Sequence, residues 1–220
     1  MDPRRSLPPW MLVSDLEVAA RPRFIACVEA IAAAGEWFAV QVRAKALPDA
    51  ELLEFAREVR GALDRAGASG RVPLLVNGRF DLAVASRADG VQLPAAGVPA
   101  RRVREELGAG WLVGVSTHSP QEVQAAREAG ADYAIFGPVY RTPSKPAAVE
   151  PQGTAGLAAA IQATAGLPLL AIGGYTAERA TQARQLGAHG VAVVRAILAA
   201  DDPIDAARAL TVALGRAELP

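Results

Sequence analysis

Apolar residues along the chain fall into two alternating patterns. Short runs rich in Val, Ile and Leu recur eight times: MLVSDL (11–16), WFAVQVRA (37–44), VPLLVNG (72–78), GVQL (90–93), WLVGVS (111–116), YAIFGP (133–138), LPLLAIG (167–173) and GVAVVRA (190–196). Runs of this length with few polar interruptions predict parallel strands buried on both faces. Longer segments lie between them, with apolar positions stepping by three and four. In PDAELLEFAREVRGALDRAG these positions are Leu52, Phe55, Ala56, Val59, Ala62, Leu63 and Ala66, one stripe of an amphipathic helix. FDLAVASRA is shorter but keeps the same period. Ser119-Pro120 and Asp202-Pro203 read as N-cap/N1 pairs, and Gly130 and Gly187 stand where helices should end.

Eight strand–helix units with no long linker predict an α/β fold, a single (β/α)8 TIM barrel over residues 11–220. Residues 1–10, rich in Pro and Arg, are expected to be a flexible N-terminal tail. The competing fold is an open doubly wound sheet. It usually carries a Gly-rich turn after its first strand, and LVSDLEVAARP has none.

Composition narrows the partners. The 220 residues are 51% hydrophobic and carry 23 basic and 23 acidic side chains. That balance gives no reason to expect nucleic acid or an anionic membrane surface. No segment is apolar enough to span a bilayer, and MDPRRSLPPW lacks the apolar core of a signal peptide, so a cytoplasmic protein is expected. The one cysteine, Cys27, lies in the apolar run FIACVEAIAAAG and reads as a buried structural thiol. No Cys/His cluster suggests zinc. A homo-oligomer is compatible with the sequence, but nothing in it marks the pairing surface.

Barrel active sites lie where the strands end. The residues there are Ser14 and Asp15; Gln41, Arg43 and Lys45; Asn77 and Arg79; Gln92; Ser116 and His118; Tyr140, Thr142, Ser144 and Lys145; Gly173 and Gly174; Val194 and Arg195. The set is polar and cationic although the chain is neutral, which points to a small anionic ligand. In AIGGY, adjacent glycines would let backbone N–H groups approach a phosphate after strand seven, with Val194 and Arg195 completing the cup after strand eight. QVRAK would place Arg43 and Lys45 on one side of an extended chain. GPVYRTPSKP is a candidate lid carrying Thr142, Ser144 and Lys145. Of the two histidines, His189 falls before strand eight, at the barrel's bottom, and His118 at its top. On position alone, His118 reads either as a polar helix cap or as an acid/base group.

The stretches QVRAK, LLVNGRFDLAVASRADGVQL, VGVSTHS, GADYAIFGPVYRTPSKP, LPLLAIGGYT and GAHGVAVVRAI resemble the thiamine phosphate synthase/thiazole tautomerase superfamily over residues 11–215. The synthase branch joins a pyrimidine diphosphate to a thiazole phosphate and releases pyrophosphate. The resemblance implies that Arg43, Lys45, Asn77, Ser116, Thr142, Ser144 and Lys145 contact diphosphate and pyrimidine, with Gln41 beside them, and that Gly173, Gly174 and Val194 hold the thiazole phosphate. It also implies Mg²⁺ on two aspartates, but those positions are Gly78 and Gly97 here. The family's strand-eight serine is Arg195, and its His or Gln after strand four becomes Gln92-Leu93-Pro94. Loss of both metal ligands favours the tautomerase branch. On that reading the chain is an isomerase of a carboxylated thiazole phosphate, without metal or cofactor, and His118 shuttles the proton. The alternatives are a synthase, with Mg²⁺ as its cofactor, and a non-catalytic thiazole phosphate-binding or regulatory barrel.

Overall fold

The computed structural model describes residues 7–144 and 149–215. Eight parallel strands form a closed barrel in sequence order. They are β1 (Trp10–Val13), β2 (Ala39–Val42), β3 (Leu74–Asn77), β4 (Gly90–Leu93), β5 (Leu112–Thr117), β6 (Tyr133–Phe136), β7 (Leu169–Ile172) and β8 (Gly190–Val193). The helices are α1 (Arg21–Ala33), α2 (Asp49–Arg65), α3 (Phe80–Ala85), α4 (Ala100–Leu107), α5 (Pro120–Glu128), α6 (Gly153–Ala163), α7 (Ala177–Gln185), α8 (Arg195–Leu198) and α9 (Pro203–Ala213). The expected TIM barrel is therefore observed. Ser119 and Asp202 cap α5 and α9 as expected, each accepting hydrogen bonds from N–H groups of the first turn.

Strand residues alternate between two cores. Met11, Val13, Ala39, Leu75, Leu112, Tyr133, Ile135, Leu170 and Ala192 fill the barrel interior. Their neighbours Trp10, Leu12, Val40, Leu74, Val76 and Val191 face the helix layer, where they meet Phe24, Phe55 and Val59. Both faces are buried, so most strand positions are apolar, with Gln41, Asn77, Gln92, Ser116 and Thr117 toward the upper ends, and the two-residue period is hidden in the sequence. Cys27 lies in the outer layer, and burial pushes its thiol up to about 11, as expected of a structural cysteine.

The expected tail boundary needs correcting. Leu7 and Trp10 are buried; Leu7 belongs to the interior core, and Trp10 opens β1 and stacks on Phe38 at 4.7 Å. Val191 N–H donates to the Pro9 carbonyl at 3.1 Å. Large apolar side chains hold residues 7–10 in the fold; residues 1–6 lie outside the described residues. The eighth run also divides. Val194 leaves strand conformation at φ −124°, ψ −79°, and helix α8 starts at Arg195.

The bottom of the barrel is tied by one device used twice. Asp89 accepts from Leu74 N–H at 2.8 Å and pairs with Arg60 at 2.5 Å; Asp132 accepts from Val113 N–H at 2.8 Å and pairs with Arg104 at 2.5 Å. At the equivalent place before β8 stands His189, whose Nε2 meets the Leu7 carbonyl at 2.8 Å. A carbonyl only accepts, so Nε2 carries the proton. His189 therefore serves a structural contact at the barrel's bottom.

Burial pushes the His189 pKa below its ordinary 6.5. As pH falls below 6.5 the unfolded chain takes up the proton more readily than the native one, so stability is full above that value and declines toward the native pKa. Melting temperature is expected to drop between neutral pH and pH 5. His189→Gln, which keeps an N–H for Leu7, should flatten that part of the profile; an unchanged slope would reject His189 as its source.

Candidate active site

The upper ends of the strands enclose a cavity of about 200 Å³. Its floor is apolar, made by Val13, Ile135, Ile172 and Ala192. Polar groups ring the wall above it. Of the expected site residues, Gln41, Arg43, Asn77, Ser116, His118, Thr142, Ser144, Gly173, Gly174, Val194 and Arg195 all line this space. One does not follow the expectation. Lys45 is exposed and outside the lining, because β2 ends at Val42 and the strand alternation that would pair it with Arg43 stops there. Lys145 lies outside the described residues.

One side of the cavity is built from backbone. Gly173 and Gly174 adopt φ +101° and +68°, a region that penalises a Cβ. A Cβ on Gly173 would sit 2.7 Å from Pro138 Cβ, and one on Gly174 would sit 2.8 Å from Tyr140 Cβ. The turn they make leaves N–H groups without acceptors. Among the described residues, no carbonyl accepts from Gly173, Gly174, Val194, Arg195 or Ala196 N–H. Backbone donors near the surface of a core are normally paired, so five open donors on two adjacent loops form a cup for an anion. Arg195 projects from the same rim, with no acid within ion-pair distance among the described residues. Behind the cup, Arg179 donates to the Gly174 carbonyl at 2.5 Å and lies 4.4 Å over the Tyr140 ring.

The second side is built from side chains held by buried partners. Ser14, wholly buried, accepts from Arg43 N–H at 2.7 Å and donates to the Arg43 carbonyl at 2.9 Å, which fixes the end of β2. The Gln41 amide donates to Asn77 Oδ1 at 3.0 Å. Deeper in, the Tyr133 hydroxyl donates to Gln92 Oε1 at 2.6 Å, and Gln92 Nε2 donates to Ser116 Oγ at 3.0 Å. Ser116 already accepts one hydrogen bond from below, so its own proton is free to point into the cavity. Gly114 beside this chain has no room for a Cβ, which would overlap the Tyr133 ring.

His118 is placed by both its backbone and its ring. Its N–H donates to Glu122 Oε2 at 2.6 Å, while Glu122 N–H donates to Ser119 Oγ at 3.2 Å, a reciprocal helix start. Ring Nδ1 lies 2.5 Å from the Gly137 carbonyl. The carbonyl can only accept, so Nδ1 carries the proton and the neutral ring keeps its lone pair on Nε2. The residue joins the helix start that Ser119 caps and also lines the cavity.

Three functional features escaped the motif reading. Asp15 lines the cavity, and its Oδ1 accepts from Glu17 N–H at 3.1 Å; its place after the first strand was the available signal, but no motif surrounds it. Tyr175 also lines the cavity; its hydroxyl is buried with no hydrogen-bond partner among the described residues, and burial raises its pKa. Tyr133 looks like one more apolar core residue in sequence, and only its contact with Gln92 shows a polar task.

The donor set for a family Mg²⁺ site does not fit. Gly78 turns at φ +78° against Pro94, and a Cβ on Gly97 would meet Pro94 Cδ and its carbonyl oxygen at 3.0 Å. The neighbouring carboxylates Asp49 and Asp81 are both held by Arg79, whose guanidinium keeps each below the usual carboxylate range. No group of three or more His, Cys, Asp or Glu among the described residues is placed to hold a metal ion.

The thiamine monophosphate synthase family profile matches residues 10–197. A Geobacter sulfurreducens protein that bears the thiamine-phosphate synthase name provisionally is 45% identical over 203 residues, 92% of each chain. The thiamine-phosphate synthase of Chloroflexus aurantiacus is 39% identical over 203 residues, 91% of each chain. A solved thiamine phosphate pyrophosphorylase from Pyrococcus furiosus superposes with a TM-score of 0.79 at 27% identity, covering 96% of each chain. These relatives overturn the tautomerase and isomerase expectation and favour the synthase alternative, a transferase. The physical reason is that Gly78 and Gly97 report on metal ligands, not on which bond the site makes.

Tyr133→Phe tests the buried chain behind Ser116. It deletes one hydroxyl and leaves Gln92 Oε1 unsatisfied, a loss of about 1–3 kcal/mol in stability. Chemical denaturation should show this as a lower midpoint with an unchanged slope; an unaltered midpoint would mean the hydrogen bond contributes nothing.

Proposed function

The chain belongs to the thiamine monophosphate synthase family, and from that premise we propose that it joins a hydroxymethylpyrimidine diphosphate to a thiazole phosphate. The carbon–oxygen bond to the diphosphate breaks, a carbon–nitrogen bond to the thiazole forms, and the bonding electrons leave with pyrophosphate. The observation that carries this reading is the two-sided cavity: a backbone anion cup at Gly173, Gly174, Val194 and Arg195 beside a wall of Arg43, Asn77, Ser116, Thr142 and Ser144. One side suits the thiazole phosphate, the other the pyrimidine and its diphosphate.

On this proposal the guanidinium of Arg43 pairs with diphosphate oxygens, for which its forked donors are well shaped. Thr142 and Ser144, with hydroxyl oxygens 3.1 Å apart, add donors from the loop after β6. Ser116, its proton directed outward by Gln92, and the Gln41–Asn77 pair meet the polar edge of the pyrimidine. His118 offers the Nε2 lone pair to a ligand N–H and holds the ring in register for attack. The apolar floor keeps water from the reacting carbon.

The full chain, incubated with both substrates in the presence of Mg²⁺, should form thiamine phosphate and one pyrophosphate per turnover, read by chromatography. Arg43→Gln should lower kcat/KM at least about tenfold, the equivalent of 1.4 kcal/mol. Absence of thiamine phosphate from the wild-type reaction would overturn the proposal.

A further inference from the structure

The residues that the family's Mg²⁺ would need are absent, and their replacements are not neutral fillers. Gly78, Pro94 and Gly97 close together at the mouths of β3 and β4: Pro94 Cγ lies 3.8 Å from where a Gly78 Cβ would be, and Gly97 N–H donates to the Pro94 carbonyl at 2.9 Å. A side chain at residue 97 would press on Pro94, which would have to give by a few tenths of an ångström. The acids nearest this mouth, Asp49 and Asp81, are tied to Arg79 and lie outside the cavity lining. Asp15 is the carboxylate in the described lining, and it is turned back onto Glu17 N–H. Mg²⁺ asks for oxygen ligands in near-octahedral array, and among the described residues no group of three or more His, Cys, Asp or Glu gathers here to hold one.

The charge a diphosphate brings must then be met otherwise, and the same cavity holds the means. Arg43 and Arg195 both line it, and neither has an acid within ion-pair distance among the described residues. A guanidinium kept free of internal partners in a mostly apolar cavity is an anion receptor. We infer that this chain binds the diphosphate group of its substrate without a divalent cation, with Arg43 at the β2–β3 wall and Arg195 at the rim together supplying the positive charge. The inference rests on the transferase reading for the identity of the ligand, but it is tested apart from turnover.

Inorganic pyrophosphate is the probe, titrated by calorimetry into the full chain stripped with EDTA and again with Mg²⁺ present. Binding should occur in EDTA with an affinity within about twofold of that in Mg²⁺. Arg43→Gln should weaken it about tenfold or more, one such contact being worth 1.4 kcal/mol per decade, while Arg43→Lys should recover part of the loss; circular dichroism confirms that both variants are folded. Binding that appears only with Mg²⁺, binding tightened tenfold or more by Mg²⁺, or no binding in either condition would overturn the inference. Pyrophosphate bound in EDTA by a protein that forms no thiamine phosphate would leave the inference standing and remove the transferase reading. Magnesium-dependent pyrophosphate binding with product formation would do the reverse.

Discussion

Closure of the barrel between its first and last strands is the constraint on which everything else rests. Trp10, Met11 and Leu12 pair in parallel with Val191, Ala192 and Val193, joining residues almost the whole chain apart. Without that seam β1 and β8 would be open edges of four residues each, and neither could support the loops above it. With it, eight short strands end on one ring and aim their exits into a shared space. The seam has its own requirements. Gly190 has no room for a Cβ against the Pro9 carbonyl, and Leu7 closes the interior from below. Residues that look expendable at the start of the chain therefore complete the circle that positions the cavity at the other end.

Much of this architecture is legible from the chain. Eight apolar runs separated by helical periods specify the alternation, and Ser119 and Asp202 mark helix starts that the structure reproduces. What is not legible has physical causes. Strands buried on both faces carry no polar alternation, so the division of Met11 inward and Leu12 outward cannot be read before the barrel closes. Strand exits are equally opaque. Arg43 and Lys45 share a face only while the chain stays extended, and it does not. The run GVAVVRA is uniformly apolar until Arg195, yet its backbone breaks at Val194 because the turn into α8 begins there.

The site shows the same division between local and distributed information. Gly173-Gly174 is a local signal, and the open N–H groups stand where it points. Tyr133, Gln92 and Ser116 come from three different strands and form one hydrogen-bonded chain only in space. The loss of two aspartates also misled when taken as a sign of reaction type. Missing ligands describe how charge is handled at one mouth of the barrel. Whether a proton moves or two rings are joined depends on the whole cavity, and the family relationships over more than nine-tenths of the chain speak to that.

A receptor made of peptide groups has a particular inheritance. Almost any side chain at Val194, Arg195 or Ala196 leaves the N–H in place, so point mutation erodes such a cup only where geometry itself is at stake, at Gly173 and Gly174. The side-chain wall opposite can drift, losing acids and gaining cations, while one end of every ligand stays anchored. Descendants of such a barrel can therefore explore new chemistry on one half of a substrate without first relearning how to hold the other.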